Sequence, residues 1–544
     1  MTSLNANLVD IVKRSIQPAR LTFSQGLIES ITPLSADATC DTYLLPGFVD
    51  AHIHIESSML TPAQFAAIAV CHGTVATVSD PHEIANVLGL PGVEYMLSDA
   101  ARVPLKICFG APSCVPATSF ETTGCTIDVE ATAKLLSHDQ IHYLAEMMNF
   151  PGVLGSDADV LAKIAEAKKR GKPVDGHAPR LVADDARRYF AAGISTDHEC
   201  TTMQEALDRI AVGVYVQIRE GSAARNFDAL WPLIDQHPGQ VMFCSDDKHP
   251  HELLHGHINQ LCRRAVAKGC DVFNVLTAAC LTPVHHYGLN VGGLKVGDPA
   301  DFVEVGSLTE FDVRRTFIDG NCVAENGVSK LDPSSAEPIN HFACSRKTES
   351  DFAVPADNAK QIRVMVAHDG LLTTSSETVS PTISDGQLAC DSIHDTLKIS
   401  VVNRYSEAAP AVAFVRGFGL KRGAIAGSVA HDSHNIIAVG ASDAELCAAV
   451  NAVVETQGGL SAVDGDQIET LPLPVAGLMS NLSCKDVATQ YEELQKVAQN
   501  LGCSLHDPFM TLSFLALLVI PSLKLSDKGL FDVQQFAFTD LVVR

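Results

Sequence analysis

Six side chains with metal-binding chemistry stand at the ends of short apolar runs. In "LLPGFVDAHIH" (44–54), His52 and His54 are two residues apart on what reads as a strand. Side chains at that spacing leave a strand from the same face, so both imidazoles can meet one cation. Two ordinary buried histidines would show the same spacing. Glu146 lies among apolar residues in "LAEMMN" (144–149). A buried, unpaired carboxylate is costly, and a cation would remove that cost; a glutamate emerging on a loop would need none. His177 falls in "DGHAP", His198 falls in "STDHE", and Asp246 and Asp247 end "CSDD". Each signal alone is weak. Four histidines and two acids, each at its own strand end and in chain order, suffice for two ions sharing a bridging carboxylate.

Such residues need strands to carry them. Eight runs read as strands: 44–54, 74–80, 103–110, 141–149, 172–177, 194–199, 214–220 and 241–247. Amphipathic helical stretches lie between them. "TPAQFAAIAVCHG" (61–73) has Pro62 near a helix start and Gly73 past its end. "SDADVLAKIAEAKKRG" (156–171) opens on Ser and Asp and closes on Lys, Arg and Gly. "HELLHGHINQLCRRAVAKG" (251–269) reads as one long helix with Leu253, Leu254, Ile258, Leu261 and Ala265 on one side. Strands alternating with helices imply parallel βαβ units, and eight of them fit a closed (β/α)8 barrel. An open doubly wound sheet is disfavoured, because no Gly-rich phosphate fingerprint follows the first run. Function in such a barrel collects at the C-terminal strand ends.

The flanks differ from the barrel. Residues 1–43 and 291–330 carry strands and turns, which suggests one composite β-sandwich built from both sides of a barrel at 44–290. Residues 331–357 are rich in Pro, Ser and charge and read as a linker. An α/β domain is expected over 358–544, with strands at "LKISVVNR" (397–404) and "IIAVGA" (436–441) and a helix near "DAELCAAVNAVVETQGG" (443–459).

The chain has 544 residues, too many for one ordinary core. Its formal net charge of -25 disfavours nucleic acid and anionic membranes as partners. Residues 1–20 hold no continuous apolar run of the signal-peptide kind. The 16 cysteines show no CxxC pair and fall inside apolar runs, as expected in a reducing compartment, so the chain reads as cytoplasmic. "FMTLSFLALLVIP" (509–521) is too short to span a bilayer and reads as a buried element.

The motifs "PGFVDAHIH" and "GGLKVGDPADFV", together with the ligand constellation, resemble the amidohydrolase superfamily of metal-dependent hydrolases over residues 1 to about 330. The resemblance implies that His52 and His54 bind a first metal, His177 and His198 a second, and that Asp246 ligates the first and handles a proton. A carboxylated lysine usually bridges the pair in that superfamily. This chain departs from the pattern, with Glu146 in the bridging position. A tighter resemblance is to the bacterial adenine deaminase family. It rests on "HIHIESSMLTP" (52–62), "SDPHEIANVLG" (79–89), "LAEMMNFPGVLG" (144–155), "DGHAP" (175–179), "STDHE" (195–199), "REGSAARN" (219–226), "SDDKHP" (245–250) and "GFGLKRGAIAGSVAHDSHNIIAVG" (417–440).

That likeness implies hydrolysis of adenine to hypoxanthine and ammonia, with two divalent metals (manganese or iron(II), zinc also compatible), and hydroxide from the metal pair attacking C6. Asp246 would shuttle the proton. Glu83 and Glu199 are the candidates for protonating the ring, or else partners that orient ligand imidazoles. Arg219, Ser222 and Asp247 are candidate substrate contacts, Arg219 equally a structural ion-pair donor. "HDSHN" (431–435) reads as a further metal site, a lid, a subunit contact or a loop without metal. His285 and His286 read as structural. A homodimer is expected. Two other functions stay open: another amidohydrolase acting on a different amine or cyclic amide, deacetylase or hydantoinase-like, and a non-catalytic scaffold. The full ligand set argues against the scaffold.

Overall fold

Strands buried on both faces must be apolar throughout, and the apolar runs of this chain become such strands. A computed structural model describes residues 1–35, 37–334 and 337–543. The barrel strands are β1 (Phe48–Ile53), β2 (Thr74–Ser79), β3 (Lys106–Ala111), β4 (Ile141–Met147), β5 (Val174–Gly176), β6 (Thr196–Asp197), β7 (Tyr215–Arg219) and β8 (Val241–Cys244). Strands β1 to β5 pair in parallel in chain order, as do β6 to β8. Ser195 N donates to Val174 O at 2.9 Å across the β5–β6 seam. A parallel bridge between Ile53 and Asp246 returns β8 to β1. Every residue of β1, β2 and β8 is buried, as expected when a strand has side chains inside and helices outside.

The helices start and stop where their caps dictate. Asp157 caps Ala158–Lys169 by accepting from Asp159 N and Val160 N. Thr202 and Glu205 form a reciprocal capping box at Met203–Ala211. Pro62–Ala69 passes into a 3-10 turn that Gly73 ends at φ +85°. One expectation is corrected here. The stretch 251–269 is two helices, Pro250–Leu253 and Ile258–Ala267. Gly256 stands at φ +158° between them, and His257 turns inward to bond Asp50 Oδ2 (2.7 Å) and Thr74 Oγ1 (2.7 Å). The apolar periodicity continues across the break, so it could not report it.

Both flanks of the barrel enter one eight-stranded sheet. Its spatial order is Val328–Ser329, Asn321–Glu325, Val313–Ile318, Phe302–Val305, Tyr43–Pro46, Thr2–Asp10, Ser15–Ser24, Leu27–Pro33. Tyr43–Pro46 joins the halves, antiparallel to 302–305 and parallel to 2–10, and leads directly into β1. Phe23 from one half meets Phe302 (ring centroids 5.3 Å apart) and Phe317 (5.8 Å) from the other. The sheet therefore curls over a core shared with Leu8, Leu21 and Ile28.

Two compact units divide the chain. The first holds the barrel and this curled sheet. The second, residues 337–543 with His82–Val93 and Cys114–Ile127, is built on a nine-stranded sheet. Helix Asp443–Glu455 buries Leu446, Ala449, Val450 and Val453 in a core with Val402, Ala426 and Ile436. The two barrel-loop stretches were expected within 44–290, yet they cluster with this second unit. Much of the stretch expected as a linker is also part of it. Ala343 N bonds Arg404 O (2.7 Å), Lys347 N bonds Asn451 Oδ1 (2.8 Å), and Phe352 is fully buried. "FMTLSFLALLVIP" forms a short buried helix, Pro508–Ser513, and a 3-10 turn. Among the described residues no helix is long and apolar enough to cross a membrane.

Candidate active site

The expected ligands converge at the C-terminal ends of the strands. His52 is the penultimate residue of β1, and His54 stands just beyond its end. Glu146 is in β4, and His177 and His198 directly follow β5 and β6. Asp246 lies two residues past β8 at φ +55°, a left-handed conformation that Asp tolerates better than most residues. That conformation lets the end of β8 fold onto β1: Asp246 N and Ser245 N both donate to His52 O, at 2.9 and 3.2 Å.

Two donor sets share one carboxylate. In the first, the Nε2 atoms of His52 and His54 are 3.2 Å apart. His54 Nε2 lies 3.4 Å from Asp246 Oδ1 and 3.3 Å from Glu146 Oε1. In the second, Glu146 Oε2 is 2.8 Å from His177 Nδ1 and 3.2 Å from His198 Nε2, and those two nitrogens are 3.3 Å apart. Donor atoms bound to one ion at about 2.1 Å with tetrahedral angles sit roughly 3.4 Å apart. The observed spacings are close to that value, and the two oxygens of Glu146 face different sets. The donor set therefore fits two cations bridged by Glu146, and it contains no thiolate.

The charge balance points the same way. Glu146, Glu199 and Asp246 are all buried, and the Arg219 guanidinium bonds two of them, Glu199 and Asp246. Its Nη1 bonds Glu199 Oε1 (2.6 Å) and Asp246 Oδ2 (2.5 Å), and its Nη2 bonds Glu199 Oε2 (2.9 Å). Burial alone would raise the pKa of Glu146. The neighbouring His177, His198 and His54 reverse that and hold it well below the usual carboxylate range. Burial likewise opposes ionisation of Asp246, and Arg219 and His54 outweigh it. Burial lowers the pKa of His177, but Glu199 and Glu146 carry it up to about 9. His52 goes the other way, pushed well below the ordinary value by burial and by His198 and His54. The buried acids thus favour positive charge at three of the four histidines, His54, His177 and His198, as a donor set for cations should.

A set of buried polar side chains, absent from the sequence reading, fixes these ligands. Asp50 Oδ1 accepts from His52 N (3.3 Å) and Ser245 N (3.0 Å), tying the first and last strands together while His257 holds its other oxygen. Tyr189 accepts from His177 N (3.0 Å) and donates to Met147 O (2.7 Å), bracing β4 against β5. Asp197 Oδ1 accepts from Ala178 N and Glu199 N, and its Oδ2 takes the Nε–H of fully buried Arg209 at 2.9 Å. Asn226 bonds His198 O, Cys200 O and Arg219 N, joining β6 to β7. The signals were local ones: an Asp inside an apolar strand, and an Arg on the apolar face of helix 203–211. Arg209→Met should destabilise the fold by about 3–5 kcal/mol, because Asp197 is then left buried without its cation. Chemical denaturation measures this, and a loss below about 1 kcal/mol would show that the pair is dispensable.

The remaining candidates lie around this cluster or elsewhere. Ser222 Oγ donates to Glu252 Oε2 (2.9 Å) and accepts from His249 N (2.9 Å), and Asp247 Oδ1 accepts from Ser57 Oγ (2.5 Å). Ser222 N donates to Asp247 O, linking the loops after β7 and β8. His286 packs on Tyr215 at 4.5 Å. Glu83 belongs to the second unit, where His431 and His434 hold it.

Comparison with known proteins shows the family. Residues 43–323, more than half of the chain, match the amidohydrolase family, and residues 371–537 match the adenine deaminase C-terminal domain. An adenine deaminase of Sulfurovum sp. is 54% identical over 99% of both chains. The chain belongs to the adenine deaminase family. Further members from Salinibacter ruber (52% identical) and Methanosarcina barkeri (50%) align over 99% of this chain and 99% of their own. Membership of an amidohydrolase family carries divalent-metal hydrolysis with it, which the paired donor sets accommodate.

Proposed function

We propose that this chain hydrolyses adenine to hypoxanthine and ammonia with two divalent cations, one held by His52, His54, Glu146 and Asp246 and the other by Glu146, His177 and His198. The observation that carries the reading is the shared carboxylate of Glu146 between two imidazole pairs, in a chain about half identical to adenine deaminases along its whole length. Nitrogen and oxygen donors suit manganese, iron(II) and zinc, and the family resemblance favours the first two. When bound, the cations lower the pKa of water enough to make hydroxide available near neutral pH.

The protein groups then manage protons. Attack of hydroxide on C6 pushes an electron pair onto N1, which must take a proton. Asp246, beside the first donor set, accepts the hydroxide proton and passes it to the exocyclic amine. The C6–N bond breaks and ammonia leaves rather than amide ion. Arg219 holds Asp246 and Glu199 in place and never gives up its own proton. Glu199, doubly bonded to that guanidinium, is fixed as an anion. Burial would raise the pKa of Glu83, four residues beyond β2, but His431, His434 and His82 hold it well below the usual range too, so either acid must first take the other proton of the consumed water before passing it to N1, or else serves to orient ligand imidazoles. Ser222 and Asp247, on the loops after β7 and β8, are proposed to contact the purine. The same reading has the enzyme homodimeric, and cytoplasmic in keeping with its 16 free cysteines.

The test is conversion of adenine, with adenosine as comparison, by manganese-loaded and by chelator-stripped protein. Hypoxanthine from adenine alone, and only with metal, is expected. No product from protein shown to hold two ions would remove adenine as the substrate and turn the search to other amines and cyclic amides.

A further inference from the structure

Two of the expected metal ligands, both in the first unit, have a ring nitrogen to spare. His52 and His198 present Nε2 to the donor sets, so each keeps Nδ1 for a second bond. A histidine on a metal almost always donates its other ring N–H to a carboxylate, a carbonyl or a water. His54 does so through Asp80 O, 3.2 Å from its Nδ1. His52 Nδ1 and His198 Nδ1 are buried and have no hydrogen-bond partner among the described residues. Their rings stack with centroids 4.3 Å apart, 15° from parallel.

The barrel strands carry groups that could answer them. Gln217 Oε1, in β7, is buried without a partner, and so is Tyr143 OH, in β4. The Gln217 amide cannot simply be turned, because its Nε2 donates to Ala51 O (2.8 Å), next in the chain to His52, and to Tyr287 OH (3.2 Å). Asp175, in β5, is 1% exposed. Tyr287 OH lies 3.0 and 2.8 Å from its two oxygens but has one hydrogen to give, which leaves lone pairs for other donors. Burial raises the Asp175 carboxyl, and Tyr287, Thr196 and His198 oppose that rise, so the His198 ring lies within its electrostatic reach.

These donors and acceptors match in kind without touching. Buried polar groups in folded proteins are bonded to protein or to ordered water, and water joins groups too far apart to bond directly. We propose that ordered water inside the barrel links His198 Nδ1 to the Asp175 carboxylate and His52 Nδ1 to Gln217 Oε1, making Asp175 and Gln217 positioning residues for the metal ligands. This rests on the two-cation reading and not on adenine as the substrate. A carboxylate behind an imidazole fixes the tautomer and the ring angle, and makes Nε2 a better donor to a cation. Asp175 does this for His198. Gln217 does it more weakly for His52, because an amide carries no charge. Tyr143 OH joins the same water as a further donor.

Two measurements on the full-length protein test this. The first is a crystal structure of the manganese-loaded parent at a resolution that shows ordered water. A water bonded to both His198 Nδ1 and an Asp175 oxygen is expected. No water there, or a protein group bonded to that nitrogen instead, would overturn the proposal, and this holds even if a variant fails to fold. The second reads metal affinity by titrating stripped protein against a competing chelator. Asp175→Asn keeps the shape and loses the charge. It should weaken one of the two ions by roughly 10- to 100-fold, with the unfolding midpoint of the metal-free protein close to the parent's. Tyr287→Phe removes the direct partner of Asp175 and should bind both ions as the parent does. Equal losses in the two variants would show that the Asp175–Tyr287 bond sets the affinity, and would overturn the proposal. So would parental affinity in Asp175→Asn. A parent that holds two ions but leaves adenine unchanged would overturn the adenine reading alone. A parent that holds no ion would overturn the two-cation reading, and this proposal with it.

Discussion

Glu146→Gln is expected to fold, to bind about half the parent's metal, and to turn over adenine at least about a thousandfold more slowly. The two oxygens of Glu146 serve different histidine pairs, at 3.3 Å from His54 and 2.8 Å from His177. A glutamine has one acceptor oxygen and one donor nitrogen, so it can satisfy one set and must oppose the other. Removing a single electrostatic stabiliser from a water-excluded site costs roughly 10²–10³ in rate, and a divalent cation is a stronger stabiliser than a dipole. Metal analysis and steady-state kinetics on the same preparation measure both quantities. Two retained ions with activity within tenfold of the parent would remove Glu146 from the bridging role.

The second large effect is expected at Asp246. Asp246→Asn keeps an oxygen that can face His54 but cannot accept and return a proton at neutral pH. Its kcat should fall by about 10²–10⁴, the range for loss of a general acid–base group, while two ions remain bound. That combination separates proton transfer from ligation, which Glu146→Gln disturbs together. If kcat stays within tenfold of the parent, another group carries the proton.

Much of this site was legible in the sequence for a physical reason. Parallel strands buried on both faces must be apolar from end to end, so their ends are marked wherever polar residues begin. In a closed barrel all those ends lie on one rim. The spacing of His52 and His54, and the order of Glu146, His177, His198 and Asp246, could therefore be read as one constellation. What was not legible depends on partners far away in the chain. Asp50 is locked by His257 and Asp197 by Arg209; the local sequence marks an Asp in an apolar strand or an Arg on an apolar helix face as unusual but does not say which residue it pairs with. The helix break at Gly256 is hidden because the apolar period continues across it. The role of "HDSHN" stayed open because its partner, Glu83, is about 350 residues distant. For the same reason, residues 82–93 and 114–127 read as barrel loops although they cluster with the C-terminal unit.

The most direct measurement is a titration of metal-stripped protein with manganese while hypoxanthine formation from adenine is followed. Activity should be near zero without metal, rise with added ion, and reach its plateau at two ions per chain. A plateau at one ion, or turnover that survives removal of all metal, would contradict a catalytic centre in which Glu146 bridges two cations.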